Sequence, residues 1–318
     1  MNSPDTRAVV VGVDGTPGST GALRYAVAEA SRRVAPLHLV HVGPGLTPMG
    51  LPFGPSGGAS VPVTMADLES VGAAILDEAA TTARRLDAGI DVVTHLAHGS
   101  RAAALVEFSK MAQLVVIGRE TRRGIERVVT GAVTAAVASR AQCDVVVVPS
   151  FWLPEHAKGR IVAGIKARAH THELLSQAFA EASARSASLR LVTAWELADP
   201  YLDRIELRTH TSEWEADGQR LLEEVASDWR TAYPAVQVET RVEHGHAATV
   251  LLGASNESDL LLVSRRHHAL PPHGHLGGVA HALLRLSEVP VLVVPFVDDP
   301  DEPILDGLAL EQAGHALK

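Results

Sequence analysis

The chain is short of the residues that would staple it, anchor it or give it one dominant charge. Only one of its 318 residues is a cysteine, Cys143, so no intrachain disulfide, CxxC redox pair or cysteine-based zinc site can form. A reducing compartment is expected. No apolar run reaches the roughly 18–20 residues of a membrane helix, and the opening MNSPDTRAVVVGVDG lacks the basic and apolar stretches of an export signal. These absences predict a soluble cytoplasmic protein with no membrane partner. Basic residues are outnumbered 28 to 37, for a formal charge of -9, and form no dense stripe, which argues against affinity for nucleic acid built on phosphate neutralisation. No G-x4-G-K-[ST] loop occurs, so a P-loop hydrolysis mechanism lacks its lysine and its magnesium-binding hydroxyl. Aromatics are only 4% of the residues. The abundance of Ala and Val in their place suits parallel α/β layers with small helix–sheet contacts.

What is present is a repeat. The stretch beginning at Val92, VVTHLAHGSRAAALVEFSKMAQLVVIGR, aligns without a gap with VETRVEHGHAATVLLGASNESDLLLVSR from Val238, an offset of 146. Near the start, VVVGVDG aligns with IVAGIKA at an offset of 152, Gly12 to Gly164. The length change falls either in the Gly/Pro-rich residues 43–62 or in the inter-domain segment. A period this long is domain duplication, not a solenoid. The division predicted is 1–150 for the first domain, 151–159 for a linker, 160–297 for the second domain and 298–318 for an acidic tail.

Each half alternates apolar runs of strand length with helical periodicity. In the first half, AVVVGV precedes a helix with Leu23, Val27, Ala30 and Val34 on one face. In the second, a single long helix is predicted over 205–232, with Trp214, Leu221, Val225 and Trp229 on one side. Alternation of this kind implies an α/β fold: two tandem doubly wound domains, each a five-stranded parallel sheet with helices on both faces. Ligands of such sheets bind beyond the carboxyl ends of the strands. That places Asp14 and Gly15, His41 and Val42, and the stretch GRETRRGIERVVTGAVT from Gly118 at the candidate site. In that last stretch the opening turn of a helix is expected to hold Thr130, Gly131, Ala132 and Thr134, offering N–H groups and a positive dipole end to an anion.

With these residues in view, the chain resembles a tandem universal stress protein, a family with an adenine nucleotide alpha-hydrolase-like fold. VVVGVDGTPGSTGALRYAVAEA matches the family's start, AQCDVVVVP matches its end, and Gly118 and Gly131 stand at the spacing of its Gly-x2-Gly-x9-Gly-(Ser/Thr) signature. The resemblance covers both halves. It implies ATP or another adenine nucleotide as ligand, with Gly12, Val13 and Asp14 at the adenine end, Val42 lining the site, and Gly118, Thr121, Gly131, Ala132, Val133 and Thr134 around ribose and phosphates. Thr121 stands where the second Gly belongs and Ala132 where the Ser/Thr belongs, and Arg119, Arg122 and Arg123 are available to offset these changes by pairing with phosphate. The second half departs further: Lys166 replaces the Asp, Ser264 and His267 replace the first two glycines, and Gly278 follows Gly277 in place of the hydroxyl residue. A lysine cannot accept a hydrogen bond from an adenine amino group, so this second site is read as degenerate.

His267, His268, His273 and His275 lie in a loop without the i, i+4 helical spacing of a metal pair, and no metal is predicted. His98 and His244, each before a glycine, are read as turn residues, and Cys143 as a small core residue. The expected function is that of a non-enzymatic stress-response regulator that binds adenine nucleotide in the first domain. A protein-interaction scaffold with vestigial sites and a slow ATP hydrolase remain as alternatives. The resemblance further implies that the final strands, VVVV and VLVV, lie at sheet edges and pair with one another. It also implies a homo-oligomer, a dimer, through those edges, besides an unknown protein partner, since an exposed apolar edge strand is an aggregation hazard.

Overall fold

The computed structural model describes residues 7–45, 64–119, 127–166, 171–265 and 276–295. Two compact units emerge. Unit 1 takes Met1–Val137, Ala141–Cys143 and Ser150–Leu153; unit 2 takes Ala138–Arg140, Asp144–Pro149 and Pro154–Lys318. The first repeat runs β1 (Ala8–Gly12), α1 (Pro17–Arg33), β2 (Leu37–Gly43), α2 (Met65–Leu86), β3 (Val92–His98), α3 (Arg101–Phe108), β4 (Ala112–Arg119), α4 (Arg127–Arg140) and β5 (Asp144–Pro149). The second runs β6 (Arg160–Gly164), α5 (His172–Arg185), β7 (Ser188–Trp195), α6 (Pro200–Thr209), α7 (Thr211–Ala232), β8 (Val238–His244), α8 (Ala247–Ser255), β9 (Leu260–Ser264), α9 (Gly278–Leu286) and β10 (Val291–Val294).

In unit 1 the strand order is β3-β2-β1-β4, all parallel. Successive residues of β1 point to opposite faces, yet Ala8 to Val11 are all 3% exposed or less, so helices cover both faces. The same holds for Leu114 to Val116 in β4. In unit 2 the order β8-β7-β6-β9-β10 repeats this plan in parallel, with β6 in the place of β1. β5, the last strand of the first repeat, also belongs to unit 2. It pairs antiparallel with β10, Val147 opposite Val291 and Val145 opposite Val293.

The final strands thus find each other within the chain. β10 lies between β5 and β9, and a strand has only two edges. The free edge at β10 that the sequence reading assigned to dimerisation is therefore already used, and an assembly through that edge is corrected. The pairings also locate the length change between the repeats. Val9 opposite Leu37 and Ile161 opposite Leu189 keep the offset of 152, while Leu37 opposite Val92 and Leu189 opposite Val238 bring in the offset of 146. The six-residue difference lies in the crossover from β2 to β3, the connection that contains the Gly/Pro-rich stretch.

Two helix boundaries and one buried helix face differ from the periodicity. The single helix expected over 205–232 is two, because His210 takes φ -130 and ψ 10 between α6 and α7. The buried ridge of α7 is Gly218, Leu222 and Ala226, one residue along from the face of large side chains, because small residues let the helix axis approach β8. Val34 is not on the buried face of α1. It caps the helix in the left-handed region at φ 52, its N–H reaching back to Ala30 and Ser31 carbonyls, and is 85% exposed. The counterpart Ser186 has the same φ of 52, so the fold imposes this cap twice. The histidine loop 267–275 and the tail 298–318 lie outside the described residues.

On the outer strands the repeats solve one position differently. In unit 2, Arg190 of β7 and Arg241 of β8 are bridged by Glu239, at 2.9 and 2.6 Å. Burial works to raise the Glu239 pKa, but the two guanidiniums outweigh it and hold the carboxyl below its usual range. In unit 1 the counterparts are His38, His95 and Val93. The imidazoles meet at 3.2 Å, and His95 packs its ring on Phe108 at 4.9 Å. Desolvation lowers both histidine pKa values, and for His38 the neighbouring His95 adds to this against an opposing pull from Asp91.

Two outcomes are expected. Val34→Gly removes a β-branched side chain from the left-handed region at little loss of burial and should stabilise unit 1 by about 1 kcal/mol in chemical denaturation. Folded, the histidine pair holds protons less readily than free imidazoles. An unfolded histidine takes up its proton near pH 6.5, so below that pH the unfolded chain binds more protons and stability falls. Melting temperature followed from pH 7.5 to 5.0 should fall in the wild type, and less steeply in His38→Gln/His95→Gln; equal slopes would remove the pair from the acid response.

Candidate ligand cleft

In unit 1 the chain turns back at β1: β2 lies on one side and β4 on the other. Crossovers diverging from such a point leave a crevice at the carboxyl ends of the strands. A cleft of about 230 Å³ opens there. Its floor is Gly12, Val13, Val40, Val42 and Ile117, and its polar rim is Asp14, Thr16, Ser19, Arg101 and Thr134.

The position of Asp14 is set by the backbone that precedes it. The Val13 N–H donates to the Val40 carbonyl at 2.9 Å. The Val13 carbonyl, past the end of the ladder, accepts a bond from Nδ1 of buried His41 at 2.8 Å, which requires the proton on that nitrogen. Next, Gly15 takes φ 74 and turns the chain into α1, a conformation that disfavours any other residue. The Asp14 Oδ1 accepts from the Thr16 N–H at 3.0 Å and the Thr16 hydroxyl at 2.7 Å. Desolvation in the cleft works to raise the Asp14 pKa, but these bonds, one from Ser19 and the charge of Arg101 outweigh it and hold the carboxyl below its usual range. Asp14 is an anion at neutral pH. The first turn of α1 carries no side-chain cap, since the Thr16 hydroxyl turns to Asp14 instead, and Gly18 and Ser19 line the cleft.

Gly118 has a packing role that its place in a signature does not reveal. A Cβ there would stand 2.2 Å from the Gly18 carbonyl oxygen and 3.2 Å from the Ser19 Cα. The bare backbone lets α1 begin directly against the end of β4. Of the residues named from sequence, Gly12, Val13, Asp14, Val42, Gly118, Val133 and Thr134 meet around one cleft. Ala132 is exposed. α4 starts at Arg127, so Gly131 to Thr134 occupy its second turn rather than its opening, and the helix end expected at Thr130 is corrected. Arg119 ends β4; Thr121, Arg122 and Arg123 lie outside the described residues. Sequence reasoning missed Arg101 and Leu105, though it named His41 beside Val42 at the end of the second strand. Both belong to a helix that follows β3 and carry no motif; the bond from the His41 ring to Val13 is a contact that its place on the strand does not reveal.

Unit 2 keeps the scaffold and changes the rim. The Ile165 N–H donates to the Val192 carbonyl at 2.8 Å, and the Thr193 hydroxyl replaces the imidazole, donating to the Ile165 carbonyl at 3.1 Å. Lys166 then stands exposed where Asp14 stands in unit 1, Ala247 opens α8 where Arg101 opens α3, and Ala280 replaces Thr134. Ser264 ends β9, Gly277 caps α9 and Gly278 begins it; His267 lies outside the described residues. Leu251 also presses closer than its counterpart. Its Cδ1 is 2.7 Å from where a Cβ on Gly164 would lie, against 3.4 Å for Leu105 and Gly12. Among the described residues no group of three or more His, Cys, Asp or Glu could hold a metal, and no helix is long and apolar enough to cross a membrane.

Comparison with known proteins bears on both repeats. The model of the Universal stress protein family matches residues 6–149 and again 158–295. A universal stress protein of Mycolicibacterium smegmatis is 29% identical over 292 residues, 90% of this chain and 96% of the relative. One from Mycobacterium tuberculosis is 28% identical over 310 residues, 93% and 97% of the two chains. Among solved structures, a universal stress protein from Archaeoglobus fulgidus superposes with a TM-score of 0.69 at 16% identity, over 93% of this chain and 98% of that one. At that identity the likeness is one of fold.

The packing role of Gly118 is testable. Gly118→Ala forces backbone apart at the start of α1 and should cost about 2–3 kcal/mol in denaturant unfolding; a loss under 0.5 kcal/mol would show that α1 moves away freely.

Proposed function

Because the chain belongs to the universal stress protein family over both of its repeats, we propose that the first repeat binds ATP or another adenine nucleotide in the cleft beside Asp14, and that the protein acts by binding in a stress response. The observation that carries this reading is the fixed carboxylate of Asp14 at the turning point of the sheet. Oδ1 is held by Thr16, and the carboxylate so fixed has acceptor capacity beyond those two bonds for a base amino group. Beneath it the apolar floor suits a base, and the hydroxyls of Ser19 and Thr134 suit ribose or phosphate. The low pKa of Asp14 makes it a weak base, better suited to accept a hydrogen bond than to remove a proton. This supports binding over turnover. A partner would then read the ligand-bound surface through a shift in population.

The second repeat is proposed as a degenerate copy kept for its fold. Lys166 offers no acceptor to an adenine amino group, and Leu251 sits closer over Gly164 than Leu105 does over Gly12. The domain division 1–150, 151–159, 160–297 and 298–318 is part of the same proposal. Association with a second chain would use a surface other than β10.

Calorimetric titration with ATP tests the reading. Wild-type protein should bind. Asp14→Asn keeps an oxygen for Thr16 but places an amide donor toward the base, and should weaken binding by about tenfold or more without lowering the melting temperature. Absence of binding by the wild type would overturn the nucleotide reading.

A further inference from the structure

We propose that Arg101 recognises the phosphate nearest the nucleoside, so that the first repeat takes a nucleotide whose first phosphate, rather than an outer one, decides affinity. This rests on the nucleotide reading above and names what the same cleft selects. Arg101 is the first residue of α3, after Ser100, whose hydroxyl oxygen accepts the Ala103 N–H at 3.4 Å. Arg101 and Leu105 both line the cleft. Four residues apart, they share one face of the helix, and Leu105 reaches the floor at Gly12. The helix face that carries the guanidinium is therefore the one turned to the cleft.

Among the described residues Arg101 makes no hydrogen bond or ion pair, and it acts on Asp14 only through its charge. Its planar donors are available to an anion. Across the rim, Thr134 is a buried hydroxyl, 6% exposed, on α4. The cleft thus pairs an acceptor at Asp14 with a cation at Arg101 inside a volume of about 230 Å³. That suits one molecule with an amino donor at one end and a negative group close by. The second repeat has lost both charges together: Lys166 stands for Asp14 and Ala247 for Arg101. Joint loss is expected of two groups that serve one ligand.

The experiment compares adenosine, AMP and ATP by calorimetry on the full chain, as wild type, Arg101→Ala and Arg101→Lys, with circular dichroism and melting temperature to confirm folding. Wild type should bind AMP at least about tenfold more tightly than adenosine, and ATP within about threefold of AMP. Arg101→Ala should bring AMP to within about twofold of adenosine, with Arg101→Lys between. The inference is overturned if Arg101→Ala keeps the wild-type ratio of AMP to adenosine, or if ATP outbinds AMP by tenfold or more in both proteins. Failure of all three ligands to bind the wild type would instead strike the nucleotide reading itself, and this inference with it.

Discussion

The backbone of the first turn of α1 rests on the end of β4 at a distance that leaves no room for a single methyl group on Gly118. Much of unit 1 depends on that contact. It sets where α1 starts, and so where Thr16 and Ser19 stand. Thr16 in turn holds the Asp14 carboxylate, and β1 beneath is locked between β2 and β4. A parallel sheet buried on both faces draws its stability from apolar strands, but its crevice needs backbone packed against backbone, which only a missing side chain allows.

The two repeats hold this frame in common and differ at the polar positions laid over it. The carbonyl after the first strand is satisfied by His41 in one and by Thr193 in the other. On the outer strands one repeat has a carboxylate bridging two arginines and the other, at the equivalent positions, a pair of histidines. Duplication preserves what the core requires and frees the rim. The last strand of each copy is the exception. β5 and β10 are both apolar on every residue from Val145 to Val148 and from Val291 to Val294, and each covers an edge of the other in an antiparallel pair.

Legibility from sequence followed the range of the interaction involved. Continuous apolar runs announced the central strands such as β1 and β4, because burial on both faces leaves no polar residue to interrupt them, whereas the outer β3 and β8 mix polar with apolar residues. Helix ends were less legible. A single helix over 205–232 fits the periodicity as well as two do, and the break at His210 carries neither proline nor glycine to mark it. Val34 fits an apolar face but is drawn out of it by the cap that ends α1. At the site, Asp14 and Gly118 were legible because turn chemistry and glycine spacing are local. Arg101 and Leu105 were not, since they reach the cleft from the helix after β3, and the place of His41 on its strand did not show its bond to Val13.

The sequence by itself determined that this chain is one α/β domain written twice, which half keeps the aspartate after its first strand and the glycine after its fourth, and that no disulfide is available to hold it. Those properties depend on residue type and on order along the chain. The tertiary structure decided that β5 and β10 pair antiparallel, Val147 opposite Val291, that Gly118 makes room for α1, and that the cation acting on Asp14 comes from α3. Each is a meeting of segments distant in sequence, and which strand ends converge is set by the order of strands in the sheet, a property no local pattern carries.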